Sequence, residues 1–249
     1  MRLVCCGSFI VGLLAANANS IAATVTYDAS LNTLPDAQGW TLYQNNNGGP
    51  TPPAPTVSGG ILYQGPTTVD GYQSWDTAST PLPNFTGTTA FSMTAHLKII
   101  NSDYYDDGNQ WKPGYAIYMS DPSEHTFVLG FSNTGVRLST DGNAVLDSNS
   151  GPLVPLNTTS SFNTYQLNVV SGEASLFVNG NFLTSLAVGA AGAYAYPNYV
   201  AFGDPTFTGG SQTELTSLSY NTNAQLPEPA SLSLLGLGAF SLLARHRRA

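Results

Sequence analysis

Between residues 90 and 99 the chain reads Ala-Phe-Ser-Met-Thr-Ala-His-Leu-Lys-Ile, apolar at every odd position and mostly polar at the even ones. Period two marks a strand with one buried face, because successive side chains point to opposite sides of a sheet. The same alternation runs through Tyr165, Leu167 and Val169, breaks at Ser171-Gly172, and returns from Ala174 to Val178. Asn179-Gly180 then precedes Phe182-Leu183. Asn-Gly between alternating runs predicts a tight hairpin, since both residues tolerate positive φ. Further strands are predicted at 24–27, 40–43, 61–63, 115–119, 127–131, 136–138, 199–202 and 215–220. Residues 45–55, rich in Asn, Gly and Pro, predict a surface loop. No internal window has the 3.6-residue period of an amphipathic helix. The pattern predicts an all-β fold, a two-sheet antiparallel jelly-roll sandwich.

The two ends break this pattern. Arg2 is followed by an apolar run over 3–16 and by small residues at Ala16-Asn17-Ala18 and Ser20-Ile21-Ala22. That order predicts a secretory signal peptide over residues 1–23, with a helical apolar part that contains both cysteines, Cys5 and Cys6. At the other end, Pro227, Glu228 and Pro229 precede an uncharged run over 230–244 and then Arg245, His246, Arg247 and Arg248. As a helix this run reaches only about 22 Å, against ~30 Å of hydrocarbon. It predicts transient membrane insertion with the arginines on the cytoplasmic side.

Pro-Glu-Pro, apolar helix and basic end, in that order, resemble the bacterial PEP-CTERM sorting signal over residues 226–249. The resemblance implies export to the cell envelope, cell surface or extracellular matrix of a bacterium. It also implies cutting near Pro227-Glu228-Pro229 by an exosortase-type sorting protease. The expected division is therefore a signal peptide (1–23), a β-sandwich domain (24–226) and a hydrophobic sorting helix (227–249).

Charge narrows the partners of the middle domain. Residues 24–226 hold three basic side chains, Lys98, Lys112 and Arg137, against fourteen acidic ones, giving 3 − 14 = −11. No basic patch exists to bind nucleic acid or anionic lipid. The span has no cysteine, so an exported domain of this size must fold without disulfides.

The strand sequence is similar to the concanavalin-like group of legume lectins, laminin-G domains and glucanases. The residues that carry the likeness are 92–98 with 114–118, Val128 to Phe131 with Gly135 to Leu138, and the hairpin from Ala174 through Val178-Asn179-Gly180. The closing pair Val200 to Asp204 and Leu218 to Tyr220 completes it. The likeness implies a jelly-roll of that group and, with it, carbohydrate as a ligand.

Glycosidases of that fold place two carboxylates close together across one glycosidic bond. In this chain Glu124, Glu173 and Glu214 are isolated in sequence, and only Glu214 with Asp204 offers a pairing in space. No G-x-S-x-G elbow occurs, and within residues 24–226 only His96 and His125 are histidine bases. The expectation is a non-catalytic protein. Asp103, Asp106 and Asp107, beside Asn109, supply the hard oxygens that calcium takes from loops, so calcium is the one cofactor the sequence suggests; the alternative is a solvated loop. Aromatic planes beside amides and carboxylates suit sugars. Tyr104, Tyr105, Trp111 and Tyr115 with Asn109 form one such group, Tyr72 and Trp75 with Asp76 a second, and Tyr194, Tyr196 and Tyr199 a third. The leading expectation is a polysaccharide-binding surface formed where these groups meet on neighbouring rim loops. The alternatives are a structural matrix or envelope component that binds other proteins, and a glycosidase-like enzyme.

Overall fold

A computed structural model describes residues 24–46, 50–67, 71–77, 81–103, 105–106, 111–140, 150–191, 197–204 and 210–223. Seventeen strands account for most of them. They are β1 (Thr24–Asp28), β2 (Thr41–Asn46), β3 (Thr56–Ser58), β4 (Ile61–Gln64), β5 (Gly71–Thr77) and β6 (Phe91–Ser102). Next come β7 (Tyr105–Asp106), β8 (Trp111–Lys112), β9 (Tyr115–Ser120), β10 (Thr126–Ser132), β11 (Gly135–Ser139) and β12 (Ser150–Pro155). The last are β13 (Asn163–Val170), β14 (Glu173–Val178), β15 (Asn181–Ala187), β16 (Tyr199–Asp204) and β17 (Ser211–Asn221). The only helical pieces among the described residues are two 3-10 turns, Ala29–Leu31 and Pro35–Gln38.

The strands form two large antiparallel sheets. One has the order β15-β14-β13-β6-β17-β4-β3, with β1 also paired to β17; the other runs β12-β11-β10-β9-β16-β5-β2. Alternation builds the space between them. Phe91, Met93, Ala95, Leu97 and Ile99 of β6 are wholly buried, while Ser92, Thr94, His96 and Lys98 between them are partly open. From the seven-stranded sheet, Tyr115, Ile117 and Met119 of β9 and Phe127, Leu129 and Phe131 of β10 meet them. Phe131 stands edge-on to Tyr165 of the facing sheet at 4.9 Å and to Tyr115 of its own sheet at 5.8 Å. Trp40 stands edge-on to Phe202 at 5.0 Å.

The turn chemistry follows the sequence. Ser171-Gly172 and Asn179-Gly180 all have positive φ, from 51° to 81°, as two-residue hairpins require. Asn179 also bridges the hairpin to its neighbour: its Oδ1 accepts from Thr164 N at 2.9 Å and its Nδ2 donates to Asn163 Oδ1 at 2.8 Å.

Five strands escape the pattern, two of them the two-residue β7 and β8. β12 carries Pro152 and Pro155, which disguise a strand but are tolerated at a sheet edge. β3 has only three residues. β5 holds polar Gln73 and Thr77 on its inward face, so its alternation is hidden. The predicted signal-peptide helix and C-terminal sorting helix lie outside the described residues. Among the described residues no helix is long and apolar enough to cross a membrane.

Candidate functional site

The face of the seven-stranded sheet that points away from the core holds the most distinctive surface chemistry. Register fixes its layout. Thr41, Asp76, Ala201, Tyr118, Val128 and Ser139 stand side by side in one row across six strands. The adjoining row is Tyr43, Ser74, Gly203, Ala116, Gly130 and Arg137. Small residues thus occupy the middle of the sheet, with Ala116, Gly130 and Ala201 buried beneath their neighbours. Larger side chains rise around them: Tyr118 and Arg137 on one side, Tyr43, Tyr72 and Asp76 on the other. Tyr118 and Leu153 pack on Ala116 and Val128 in a small apolar cluster that covers the middle of this face.

Tyr43 and Tyr72 make one wall. Tyr43 is 50% exposed. With Gln44, Asn45 and Tyr72 it lines a shallow open depression of about 270 Å³. Ser74 Oγ donates to the Tyr72 hydroxyl at 2.7 Å, which fixes that ring's polar edge. Gly203 is needed on this face: its φ is +137°, and a Cβ there would sit 2.4 Å from the Gln73 carbonyl oxygen. Only glycine lets β16 approach β5 so closely.

Asp76 lies in the same face, half-buried, and its carboxylate accepts no hydrogen bond from a described residue. Loss of water around it pushes its pKa up to about 6, since burial penalises the charged form. Its register neighbours on the outer face are Thr41 and Ala201. Tyr43 and Tyr199 are its diagonal neighbours, and Tyr118 stands beyond Ala201 in the same row.

The predicted site residues divide. Tyr72 is on this face. Trp75, expected beside it as a ligand contact, is 0% exposed and belongs to the core. β5 alternates, so when Tyr72, Ser74 and Asp76 face outward, Gln73, Trp75 and Thr77 must face in. Tyr115, grouped in sequence with the 104–111 aromatics, is likewise wholly buried. Asp103 is exposed, and its N–H donates to the Gly210 carbonyl at 2.8 Å. Tyr105 and Asp106 lie in β7 and Trp111 in β8, a two-residue pairing with Asp106 opposite Trp111. Tyr104, Asp107 and Asn109 lie outside the described residues. Among the described residues no group of three or more His, Cys, Asp or Glu is placed to hold a metal.

The three aromatic groups do not share one rim. The β7–β8 hairpin and Tyr72 lie at the sandwich end where Thr67 N donates to the Ser211 carbonyl and Asp103 meets Gly210. The stretch before Tyr199 is at the opposite end, where Asn198 Oδ1 accepts from Leu82 N and Asn198 N donates to the Asp121 carbonyl. Tyr194 and Tyr196 lie outside the described residues. Glu214 and Asp204 do not converge either. Glu214 is on the outer face of the eight-stranded sheet, 3.2 Å from Lys98, whereas Asp204 is buried and accepts from Thr67 Oγ1.

Tyr43 and Tyr118 are members of the face that motif reading passed over. Their signal is alternation alone: Tyr118 stands between inward-facing Ile117 and Met119, and Tyr43 beside inward-facing Leu42.

Comparison with known proteins bears on both the tail and the fold. Residues 225–248 match the model of the PEP-CTERM protein-sorting motif. The chain carries a PEP-CTERM sorting motif. It is accordingly an exported bacterial protein of the cell surface or extracellular space. No curated protein matches it by sequence. Among solved structures it is similar to a conserved carbohydrate esterase of the Shiga toxin-encoding bacteriophage phi24B, with TM-score 0.59 and 11% identity, over 82% of this chain and 100% of that one. It is also similar to a prokaryotic beta-1,3-1,4-glucanase (lichenase) derived from a mouse hindgut metagenome, with TM-score 0.50 and 11% identity, over 80% and 99% of the two chains. A sialidase matches with TM-score 0.52 and 10% identity over 80% of this chain, which spans 18% of the sialidase. These likenesses show the fold alone, a concanavalin-like two-sheet β-sandwich.

Proposed function

We propose that this PEP-CTERM protein binds polysaccharide non-catalytically, through the outer face of its seven-stranded sheet. The observation that carries the reading is the wall formed by Tyr43 and Tyr72 over a depression edged with Gln44 and Asn45. Aromatic planes beside amide groups match the apolar faces and hydroxyl edges of sugars. That the phage esterase, the glucanase and the sialidase bear carbohydrate-related names is consistent with such a ligand. Catalysis is not part of this reading, because Asp76 is the single carboxylate on this face among the described residues, and glycoside hydrolysis uses a pair.

The exposed Asp103 and the β7–β8 hairpin at the same end extend the proposed surface through Tyr104, Tyr105, Asn109 and Trp111. Asp103, Asp106 and Asp107 would hold calcium in this reading. The chain divides, in this reading, into a signal peptide (1–23), the sandwich (24–226) and a sorting segment (227–249) that inserts transiently in the membrane and is processed by an exosortase. Binding of the exported protein to a panel of polysaccharides, with and without calcium, tests the proposal. Retention that falls when Tyr43 and Tyr72 become alanine supports it. Failure to bind any polysaccharide, including the producing cell's own matrix, would refute it.

A further inference from the structure

Asp76 poses a question that a neutral sugar does not answer. A carboxylate partly withdrawn from water needs a donor or a cation to offset its lost hydration, and none of the described residues supplies one. The outer face of the seven-stranded sheet holds one other described charge, Arg137. It lies four strands away on β11, about 19 Å at ~4.8 Å per strand, beyond the ~8–10 Å screening length at ordinary salt.

What surrounds Asp76 is aromatic. Tyr43 and Tyr199 are its diagonal neighbours on the flanking strands, close enough for aromatic side chains to reach, and Tyr118 closes the row beyond Ala201. Ala201, 3% exposed, is covered by these neighbours, so the open side of Asp76 is the one towards β2. Tyrosine faces attract cations and a carboxylate completes the charge balance, an arrangement suited to an ammonium group. The domain as a whole, at 3 − 14 = −11 over residues 24–226, draws polycations towards itself.

Resting on the polysaccharide-binding reading above, we propose that the ligand is a polysaccharide bearing protonated primary amines, that is, unacetylated amino sugars, and that Asp76 is its specificity-determining residue. The ammonium pairs with the Asp76 carboxylate on the side facing β2, beside the diagonally placed Tyr43. The neighbouring sugar faces rest on Tyr43 and Tyr72.

The test compares a glucosamine oligomer with free amines against its fully N-acetylated counterpart, at about pH 6.5, where Asp76 is mostly ionised and amines remain largely protonated. The exported protein should prefer the free-amine oligomer by about tenfold, a ratio that shrinks with added salt. Asp76→Asn should bring the ratio to about one while leaving affinity for the N-acetylated oligomer unchanged. Glu173→Gln removes an equal charge from the other sheet and should keep the preference. Equal affinity for the two oligomers in the unaltered protein overturns the amine inference and leaves the groove standing. So does a preference that survives Asp76→Asn, or one lost equally in Glu173→Gln. Binding to neither oligomer, nor to any polysaccharide, overturns both. Because Asp76→Asn keeps shape, its folding is checked by a cooperative melting transition above pH 6 that lies no lower than that of the unaltered protein; Asp76→Ser provides the second variant.

Discussion

The two outer faces of the sandwich are built by the same alternation and end in opposite conditions. On the eight-stranded sheet the polar side chains satisfy one another. Lys98 pairs with Glu214 at 3.2 Å, Gln166 Nε2 donates to Asn168 Oδ1 at 3.0 Å, and His96 Nδ1 meets Thr216 Oγ1 at 2.6 Å while its ring stacks on Phe162. On the seven-stranded sheet a half-exposed tyrosine stands over an open depression, and a half-buried aspartate has no described partner. A face whose polar groups pair internally is a finished solvated wall. A face that leaves aromatic planes and a carboxylate unsatisfied gains most from a ligand.

The largest way to break this comparison lies beneath the second face. Trp75→Ala should cost about 3–5 kcal/mol, as for other buried large-to-small changes, read from denaturant unfolding. A small loss instead would mean that Trp75 does not anchor β5, and that the layout of Tyr72 and Asp76 must be redrawn. Next in size is the wall itself. Replacing Tyr43 and Tyr72 together with alanine should weaken polysaccharide binding by about ten- to a hundredfold, with little change in melting temperature, because Tyr43 is half exposed.

Acid titration sharpens the contrast further. Aspartate titrates at 3.8 when unperturbed, and Asp76 near 6 in the fold. The folded chain therefore holds this proton more tightly, and the contribution of Asp76 to stability falls as pH rises from about 4 to about 6, then levels off. Asp76→Asn should melt higher than the unaltered protein above pH 6, with the gap closing towards pH 4. A gap that is independent of pH would show that Asp76 is not desolvated. The smallest effect belongs to the finished wall. Lys98→Ala should cost under ~1 kcal/mol, as for partly exposed ion pairs, and leave polysaccharide binding untouched.

How far these faces could be read from sequence depends on the strand. β6, β13 and β14 alternate cleanly, and the Ser171-Gly172 and Asn179-Gly180 turns announce themselves, so most of the eight-stranded sheet and its hairpins were legible. The tail was also legible, because Pro227-Glu228-Pro229, the apolar run and the arginines occur in a fixed order. β5 was not, since inward Gln73 and Thr77 make it look uniformly polar and turned Trp75 into a supposed surface aromatic. Asp204 and Glu214 show the converse limit. Nothing local reveals that one is buried against Thr67 while the other faces solvent beside Lys98. Tyr43 and Tyr118 belong to one face only through pairings between strands far apart in the chain, and register between distant strands is not written in either strand alone.

The most direct measurement is the affinity of the exported protein for one polysaccharide, compared across three versions: unaltered, Tyr43 and Tyr72 both to alanine, and Lys98 with Gln166 both to alanine. Selective loss in the tyrosine pair, with full binding in the other, is the predicted result. Equal binding in all three, or loss only on the eight-stranded sheet, would contradict the assignment of function to the seven-stranded face.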